Sequence, residues 1–159
     1  MNHIMKEYWG VFEMYQAIRN QLVEILTDED LAFSLGGNTL SLGALCHEMG
    51  ETQASYIDSF KTLKHNYGLQ VEAAGHSQTV AQLKAWYTHM DAELKEIVSA
   101  FTDEQLQTAV VDRGPGFTLP LNIQLEVYKE ALLIFYGKTT IYLKAMEKAL
   151  PQQMAEWIC

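Results

Sequence analysis

The sequence is poor in cysteine, proline and basic residues, and it contains no long apolar run. It has two cysteines, three prolines, and 11 Lys or Arg residues against 20 Asp or Glu residues. Cys46 and Cys159 form no CxxC pair, so a disulfide framework is not expected. No apolar segment approaches the roughly 20 residues that a membrane-spanning helix needs. The sequence therefore predicts no membrane partner.

The net charge argues against nucleic acid as a partner. It is formally -9, and no stripe of Lys and Arg overrides the repulsion of a phosphate backbone. The N-terminal residues lack the basic-then-apolar layout of a secretory signal, so we expect a cytoplasmic protein. With 159 residues, of which 48% are hydrophobic, the chain is predicted to form a single domain over residues 1–159.

Apolar residues at helical spacing predict four long helices. The predicted bounds are 3–26 for helix one, Leu40–Lys64 for helix two, Ser77–Ala100 for helix three and Pro120–Ala149 for helix four. The seam of helix one is predicted to be Ile4, Tyr8, Val11, Tyr15, Ile18, Leu22 and Ile25. Together these patterns predict an all-α four-helix bundle.

The chain contains an internal repeat. Thr27–Leu31 reads TDEDL and Thr102–Leu106 reads TDEQL, and each is followed by a glycine-rich segment and a capped helix. The repeat predicts two helical hairpins that bury their apolar faces against each other. The linker 66–77 has no apolar periodicity, and it is long enough to span the bundle and leave helices two and three parallel, without requiring this.

His47 lies on helix two, on the side opposite the apolar stripe. The helical step of 100° aligns it with Gly43, Glu51, Ala54 and Asp58. This face is either solvated or the polar lining of a cavity, and small residues on the helix would allow a close approach by a neighbour. Cys46 points about 100° away from His47, so the two are not arranged as nucleophile and base.

Three segments resemble the DinB/YfiT-like superfamily in the order in which that family carries them. They are Thr27–Leu31, the helix start Thr39–His47, and Gly137–Lys144. The resemblance implies a four-helix bundle with up-down-down-up topology and frequent homodimers. It also implies, in many members, a divalent metal held by three histidines, and some members are thiol-dependent transferases.

His47 matches the metal histidine that the family carries on helix two. The family's other two histidines form an HxxxH pair on helix four, close to a glycine. In one register this pair corresponds to Ala131 and Phe135, and in the other to Tyr136 and Thr140. Helix four contains no histidine.

Carboxylates offer a substitute set of ligands. Glu51 lies one turn beyond His47, and Glu126 and Glu130 are one turn apart on helix four. A zinc-like ion needs three or four N, O or S ligands. The metal hypothesis is therefore a Zn or Ni site formed by His47, Glu51 and Glu130.

Three interpretations of function remain open. The first is a DinB-like bundle that has lost most of the metal triad, needs no cofactor, and binds small molecules or proteins, with Ala131, Phe135, Tyr136 and Lys138 lining the pocket. The second is a divalent-metal-dependent transferase or hydrolase in which the ion acidifies a bound thiol or water. The third is a structural homodimer whose seam is built from helices one and four.

The other histidines have weaker interpretations. His65 is predicted to complement the dipole at the end of helix two. His89 is predicted to be a partly buried structural residue of helix three. His3 and His76 receive no role.

Overall fold

The computed structural model describes residues 1–71 and 79–157. These residues form four long and two short α-helices, two turns of other helical type and one hairpin. The α-helices are α1 (Trp9–Glu24), α2 (Leu42–Thr62), α3 (Val80–Ala100), α4 (Asp103–Thr108), α5 (Leu121–Ala145) and α6 (Gln152–Trp157). A π-helical turn, Ile4–Tyr8, precedes α1, and a 3-10 turn, Asp30–Ala32, precedes α2. Within the described ranges, no helix is both long and apolar enough to cross a bilayer.

Helices α1, α2, α3 and α5 form the predicted four-helix bundle, in up-down-down-up order. Side-chain contacts give the direction of each neighbouring pair. Helices α1 and α3 are antiparallel, α2 and α3 are parallel, and α2 and α5 are antiparallel. The α1–α3 contacts are Glu24–Lys84 and Glu13–Lys95. The α2–α3 contacts are Cys46–Tyr87 and Phe60–Phe101. The α2–α5 contacts are Glu48–Lys138 and Ser59–Gln124.

The predicted seam of helix one is wrong at Tyr8 and Val11, and its last member, Ile25, is 36% exposed. Tyr8 and Val11 are 56% and 50% exposed, whereas Trp9 and Phe12 are buried. The π-helical turn has a wider hydrogen-bond ring than an α-helical turn, so it shifts the register of the residues that follow. Ile18 in the second half is fully buried, as predicted.

The predicted ends of two helices also need correction. Helix α2 begins at Leu42 instead of Leu40, and Ser41 caps it, because its side chain accepts a hydrogen bond from the Ala44 amide at 3.1 Å. Helix α5 ends at Ala145 instead of Ala149. The glycine-rich segment after TDEQL is the turn of a two-stranded antiparallel hairpin, whose strands β1 (Val110–Asp112) and β2 (Thr118–Pro120) were not predicted. Helix α6 was not predicted.

A buried ion pair joins three helices in the bundle core. The Arg19 side chain of α1 is fully buried, and its Nη2 donates to both carboxylate oxygens of Asp91 on α3, at 2.6 and 2.7 Å. Arg19 Nη1 donates to Gln53 of α2, whose Nε2 donates to Asp91 at 2.8 Å. Gln16 also donates to Asp91, at 2.9 Å. Partners on several helices therefore compensate the buried charge through Nη1 and Nη2, whereas Arg19 Nε is buried with no hydrogen-bond partner among the described residues.

Gly50 of α2 lies directly against the Trp86 indole of α3. A Cβ at Gly50 would lie 2.2 Å from the nearest indole carbon of Trp86, well inside van der Waals contact. This bears out the expectation that small residues on α2 allow a neighbour to come close. Trp86 in turn stacks on Tyr87 with ring centroids 6.1 Å apart.

We expect Gly50→Ala to lower the free energy of unfolding by about 1–3 kcal/mol, because the added methyl group overpacks against Trp86. Gly10→Ala is the matched control. Gly10 lies on α1, where a Cβ would meet nothing within 4 Å, so this change should stabilise by about 0.5–1 kcal/mol. Urea unfolding of both variants measures the difference, and equal effects would contradict the described packing.

Candidate functional site

His47 and Glu51 form a pair on the outer side of α2. His47 Nε2 lies 3.2 Å from Glu51 Oε1, and both side chains are 26% exposed. The imidazole packs against Trp86 of α3, with ring centroids 5.3 Å apart. Glu51 also accepts a hydrogen bond from the Val71 amide at 3.2 Å. The pair therefore faces α3 and the start of the linker.

His47 does not point toward helix four. The α2 residues that share a groove with Ala131 and Phe135 are Leu45, Glu48, Met49 and Thr52. Glu48 is one residue, or about 100° of helix rotation, beyond His47. The expected arrangement, in which the imidazole faces the apolar helix-four positions, needs correction: Glu48 stands at that groove.

The groove between α2 and α5 has a volume of about 130 Å³. Its floor is apolar, with Met49 and Phe135 buried. Lys138 and Glu48 stand at its rim, with Nζ and Oε1 3.5 Å apart and both side chains half exposed. Three of the four residues predicted to line a pocket therefore lie on this groove.

Tyr136 is the predicted pocket residue that lies elsewhere. Its side chain is fully buried on the α1 side of α5. The hydroxyl donates to the backbone carbonyl of Tyr15 at 2.5 Å. Burial raises the pKa of Tyr136 well above its usual value, so this group stays protonated as a structural donor.

Glu130 is not brought to the His47–Glu51 pair. It is on the exposed side of α5, where its charge acts on Tyr56. Tyr56 is nine residues beyond His47 on α2, a helical rise of about 13 Å. Among the residues that the structure describes, no three His, Cys, Asp or Glu side chains form a group that could hold a metal ion.

The residues present therefore do not fit the metal that the family resemblance implies. The pair His47 and Glu51 supplies two donors, and stable zinc binding needs three or four. The helix-four positions Ala131 and Phe135 present only carbon. Glu126, the other acidic candidate, is engaged with Lys129 one turn along α5.

His65 belongs to a polar cluster at one end of the bundle. Arg113 Nη1 donates to Gln124 Oε1 at 2.8 Å, which turns the amide so that its Nε2 faces Ser59 Oγ at 2.9 Å and His65 Nδ1 at 3.2 Å. Because Nδ1 accepts this bond, the neutral imidazole carries its proton on Nε2. Tyr56 packs against the same ring, with centroids 4.8 Å apart.

The prediction that His65 complements a helix dipole is wrong. Burial and, next, the positive charge of Arg113 lower the pKa of His65 to about 4. The imidazole is therefore neutral at physiological pH and cannot offset a partial negative charge. The ring accepts from Gln124 of α5, and the His65 backbone joins the segment after α2 to the hairpin, where its amide donates to the Asp112 carbonyl at 2.8 Å.

Among the described residues, His3, His89 and Cys46 offer no further catalytic group. His89 is exposed, not partly buried as predicted. His3 pairs with Asp103 at 2.7 Å, and His76 lies outside the described residues. Burial raises the pKa of the Cys46 thiol to about 12, so it is inert as a nucleophile.

Two solved structures share this arrangement of helices. The first is a DinB-like protein from Bacillus cereus ATCC 10987, with a TM-score of 0.73 and 19% sequence identity, covering 90% of this chain and 93% of that one. The second is the DinB-like protein YjoA from Bacillus subtilis, with a TM-score of 0.69 and 15% identity, covering 87% and 92%. The chain has the DinB-like fold. No protein-family model and no curated protein matches the sequence.

We expect the neutral state of His65 to make folding stability fall on acidification. The unfolded chain protonates this residue near its ordinary pKa of 6.5, whereas the folded chain resists protonation down to about pH 4. Stability that is present above pH 6.5 is therefore lost as the pH falls through this window. With solvent screening, the loss should be on the order of 1–2 kcal/mol.

The variant His65→Gln isolates this contribution. Chemical unfolding of both proteins at pH 7.5, 5.5 and 4.5 should show a smaller acid loss in the variant than in the original chain. The same pH dependence in both proteins would show that His65 titrates normally in the folded state.

Proposed function

We propose that this DinB-like chain is a small-molecule-binding module that works without a metal ion. The observation that carries the proposal is the groove between α2 and α5. It has an apolar floor that includes Ala131 and Phe135, and Glu48 and Lys138 stand at its rim. An apolar floor with one ammonium and one carboxylate at the rim suits an organic ligand better than a metal cation.

Lys138 is the residue that makes the groove selective for a carboxylate ligand in this proposal. The 3.5 Å separation from Glu48 is long for a charged pair, and both side chains are half exposed, so their attraction contributes at most about 1 kcal/mol. The ammonium group is therefore free to turn toward a ligand carboxylate. A cavity of about 130 Å³ limits the apolar part of the ligand to a few carbons, since a 150 Å³ apolar cavity in another protein holds benzene. The ligand class is a short aliphatic carboxylate.

We expect butyrate to bind the groove with a millimolar or tighter Kd and butyramide to bind about tenfold more weakly, because only butyrate pairs with Lys138. Lys138→Met should remove this preference. Lys64→Met, at an exposed lysine just beyond the end of α2, is the control and should keep it. Amide chemical shifts around 45–52 and 131–138 report binding. Equal affinity for both probes in the original chain would contradict the proposal.

The alternative function is a divalent-metal-dependent transferase or hydrolase that uses His47 with carboxylate ligands. The 3.2 Å pairing of His47 with Glu51 supports this alternative, because the pair would supply two metal ligands. It lacks a third donor among the described side chains. The alternative therefore needs a ligand from elsewhere, and we rank it second.

Metal analysis separates the two functions. Protein purified without chelator should hold far less than one Zn or Ni ion per chain, and His47→Ala should bind these ions about as well as the control His89→Ala. The metalloenzyme instead predicts a stoichiometric ion and a loss of affinity of orders of magnitude in His47→Ala. That result, together with an activity lost on chelation, would reject the metal-independent module.

We further propose that the chain forms a homodimer through the outer face of α5. Ile134 and Ile141 are 61% and 58% exposed on this face, and Gly137 between them has open space where a Cβ would be. An antiparallel crossing of two copies at Gly137 would place Glu130 of one copy near Lys144 of the other. The surface is thus complementary to itself, as a two-fold interface requires.

Sedimentation at micromolar concentration should show a species of twice the 18.0 kDa chain mass. Ile141→Glu should shift it to monomer, because a buried carboxylate would have no partner at the interface. Leu35→Glu, at an exposed loop leucine, is the matched control and should remain dimeric. A monomer in the original chain would rule out this interface.

A further inference from the structure

A second cavity, of about 240 Å³, lies at the end of the bundle where α1 and α5 begin side by side. It is separate from the groove between α2 and α5, and no residue of that groove lines it. Its floor is formed by buried apolar side chains. These are Ile4, Phe12 and Leu125.

The π-helical turn forms one wall of this cavity, and hydrogen bonds hold that wall in place. Asn2 is 4% exposed, and its Nδ2 donates to the carbonyls of Val98 and Phe101 at 2.8 and 2.9 Å. Its Oδ1 accepts from the Met5 amide at 3.0 Å. The His3 amide donates to Asp103 at 2.7 Å. The start of the chain is therefore anchored, and the cavity is preformed.

The mouth of the cavity is lined by exposed apolar side chains. Tyr8, Val11 and Ile123 surround it and are 56%, 50% and 42% exposed. The π-helical turn rotates Tyr8 and Val11 outward, and such turns occur often at functional sites. An aromatic side chain at the mouth can pack against a flat ligand.

Asn122 is the polar group of the cavity that lacks a partner. Its Oδ1 is buried, and no hydrogen bond to it is found among the described residues. The amide torsion is broad, so either end of the amide can turn toward the cavity. Lys129 and Glu126, which also line the cavity, neutralise each other. His3 also lines the cavity, and its Nδ1 pairs with Asp103. Asn122 is therefore the uncharged amide that the site offers beside its apolar walls.

We propose that this cavity binds a neutral, single-ring molecule that carries one hydroxyl group. The volume exceeds the 150 Å³ that holds benzene in another protein, so a substituted ring fits. The hydroxyl satisfies Asn122, and the ring covers Tyr8, Val11 and Ile123. The proposal is independent of the carboxylate groove and of the dimer.

The probe is para-cresol, with toluene as the analogue that lacks the hydroxyl. Para-cresol should shift the amide resonances of residues 3–12 and 122–129 saturably, with a Kd below about 1 mM, and should bind about three- to tenfold more tightly than toluene. Asn122→Leu should bring the two affinities together. Equal affinities in the original chain, or no saturable shift, would overturn the proposal.

Two exposed positions on α1 locate the site. Val11→Trp should fill the mouth and weaken para-cresol binding at least about tenfold. Met14→Trp, one turn farther along and outside the cavity lining, should bind as the original chain does. Equal binding by both variants would overturn the assignment. Sedimentation without ligand gives a second test. If Val11→Trp disrupts a dimer and Met14→Trp does not, a second copy of the chain occupies the cavity, and the assignment is overturned.

Discussion

The structure depends on a guanidinium group held in the core of the bundle. Arg19 is fully buried and contacts Asp91 on α3, Gln53 on α2 and the face of Tyr87, whose ring centroid is 4.1 Å away. A buried charge that loses its partners costs several kcal/mol. The three helices are therefore held in the rotation that brings these side chains together.

This rotation decides which residues face the two sides of α2. With Gln53 directed into the core, the helical step places His47 about 120° to one side and Glu48 about 140° to the other. His47 consequently meets Trp86, and Glu48 meets Lys138 across the α5 groove. The metal hypothesis placed His47 and the helix-four positions at one site, whereas the packing separates them. The proposed binding function follows from this separation.

Much of the fold could be predicted from the sequence, because apolar spacing reports directly on buried faces. The stripe predicted on α2 is an example. Its first five members are buried, and its last, Leu63, is exposed because it lies just beyond the helix end; the five are Leu42, Leu45, Met49, Tyr56 and Phe60. The prediction of buried faces failed where a helix buries polar side chains. Arg19 and Gln53 look like solvated residues in a sequence, and nothing local indicates that partners on other helices will enclose them. The π-helical turn likewise left no signal in the spacing, so Tyr8 and Val11 were placed on the wrong side.

The candidate site was predictable only in part. Ala131, Phe135 and Lys138 do lie on one groove, because their spacing on one helix fixes their common side. Which α2 residue faces them depends on the rotation of a second helix. The prediction for His65 was wrong because its partner, Gln124, comes 59 residues later in the chain.

The most direct test of the central ion pair is a double-mutant cycle on Arg19 and Asp91, measured by urea unfolding at neutral pH. Arg19→Met and Asp91→Leu should each cost about 3–5 kcal/mol, because each leaves a buried charge unpaired. The double variant should cost clearly less than the sum, since it removes both charges. Strictly additive losses, or single losses below about 1 kcal/mol, would contradict the account.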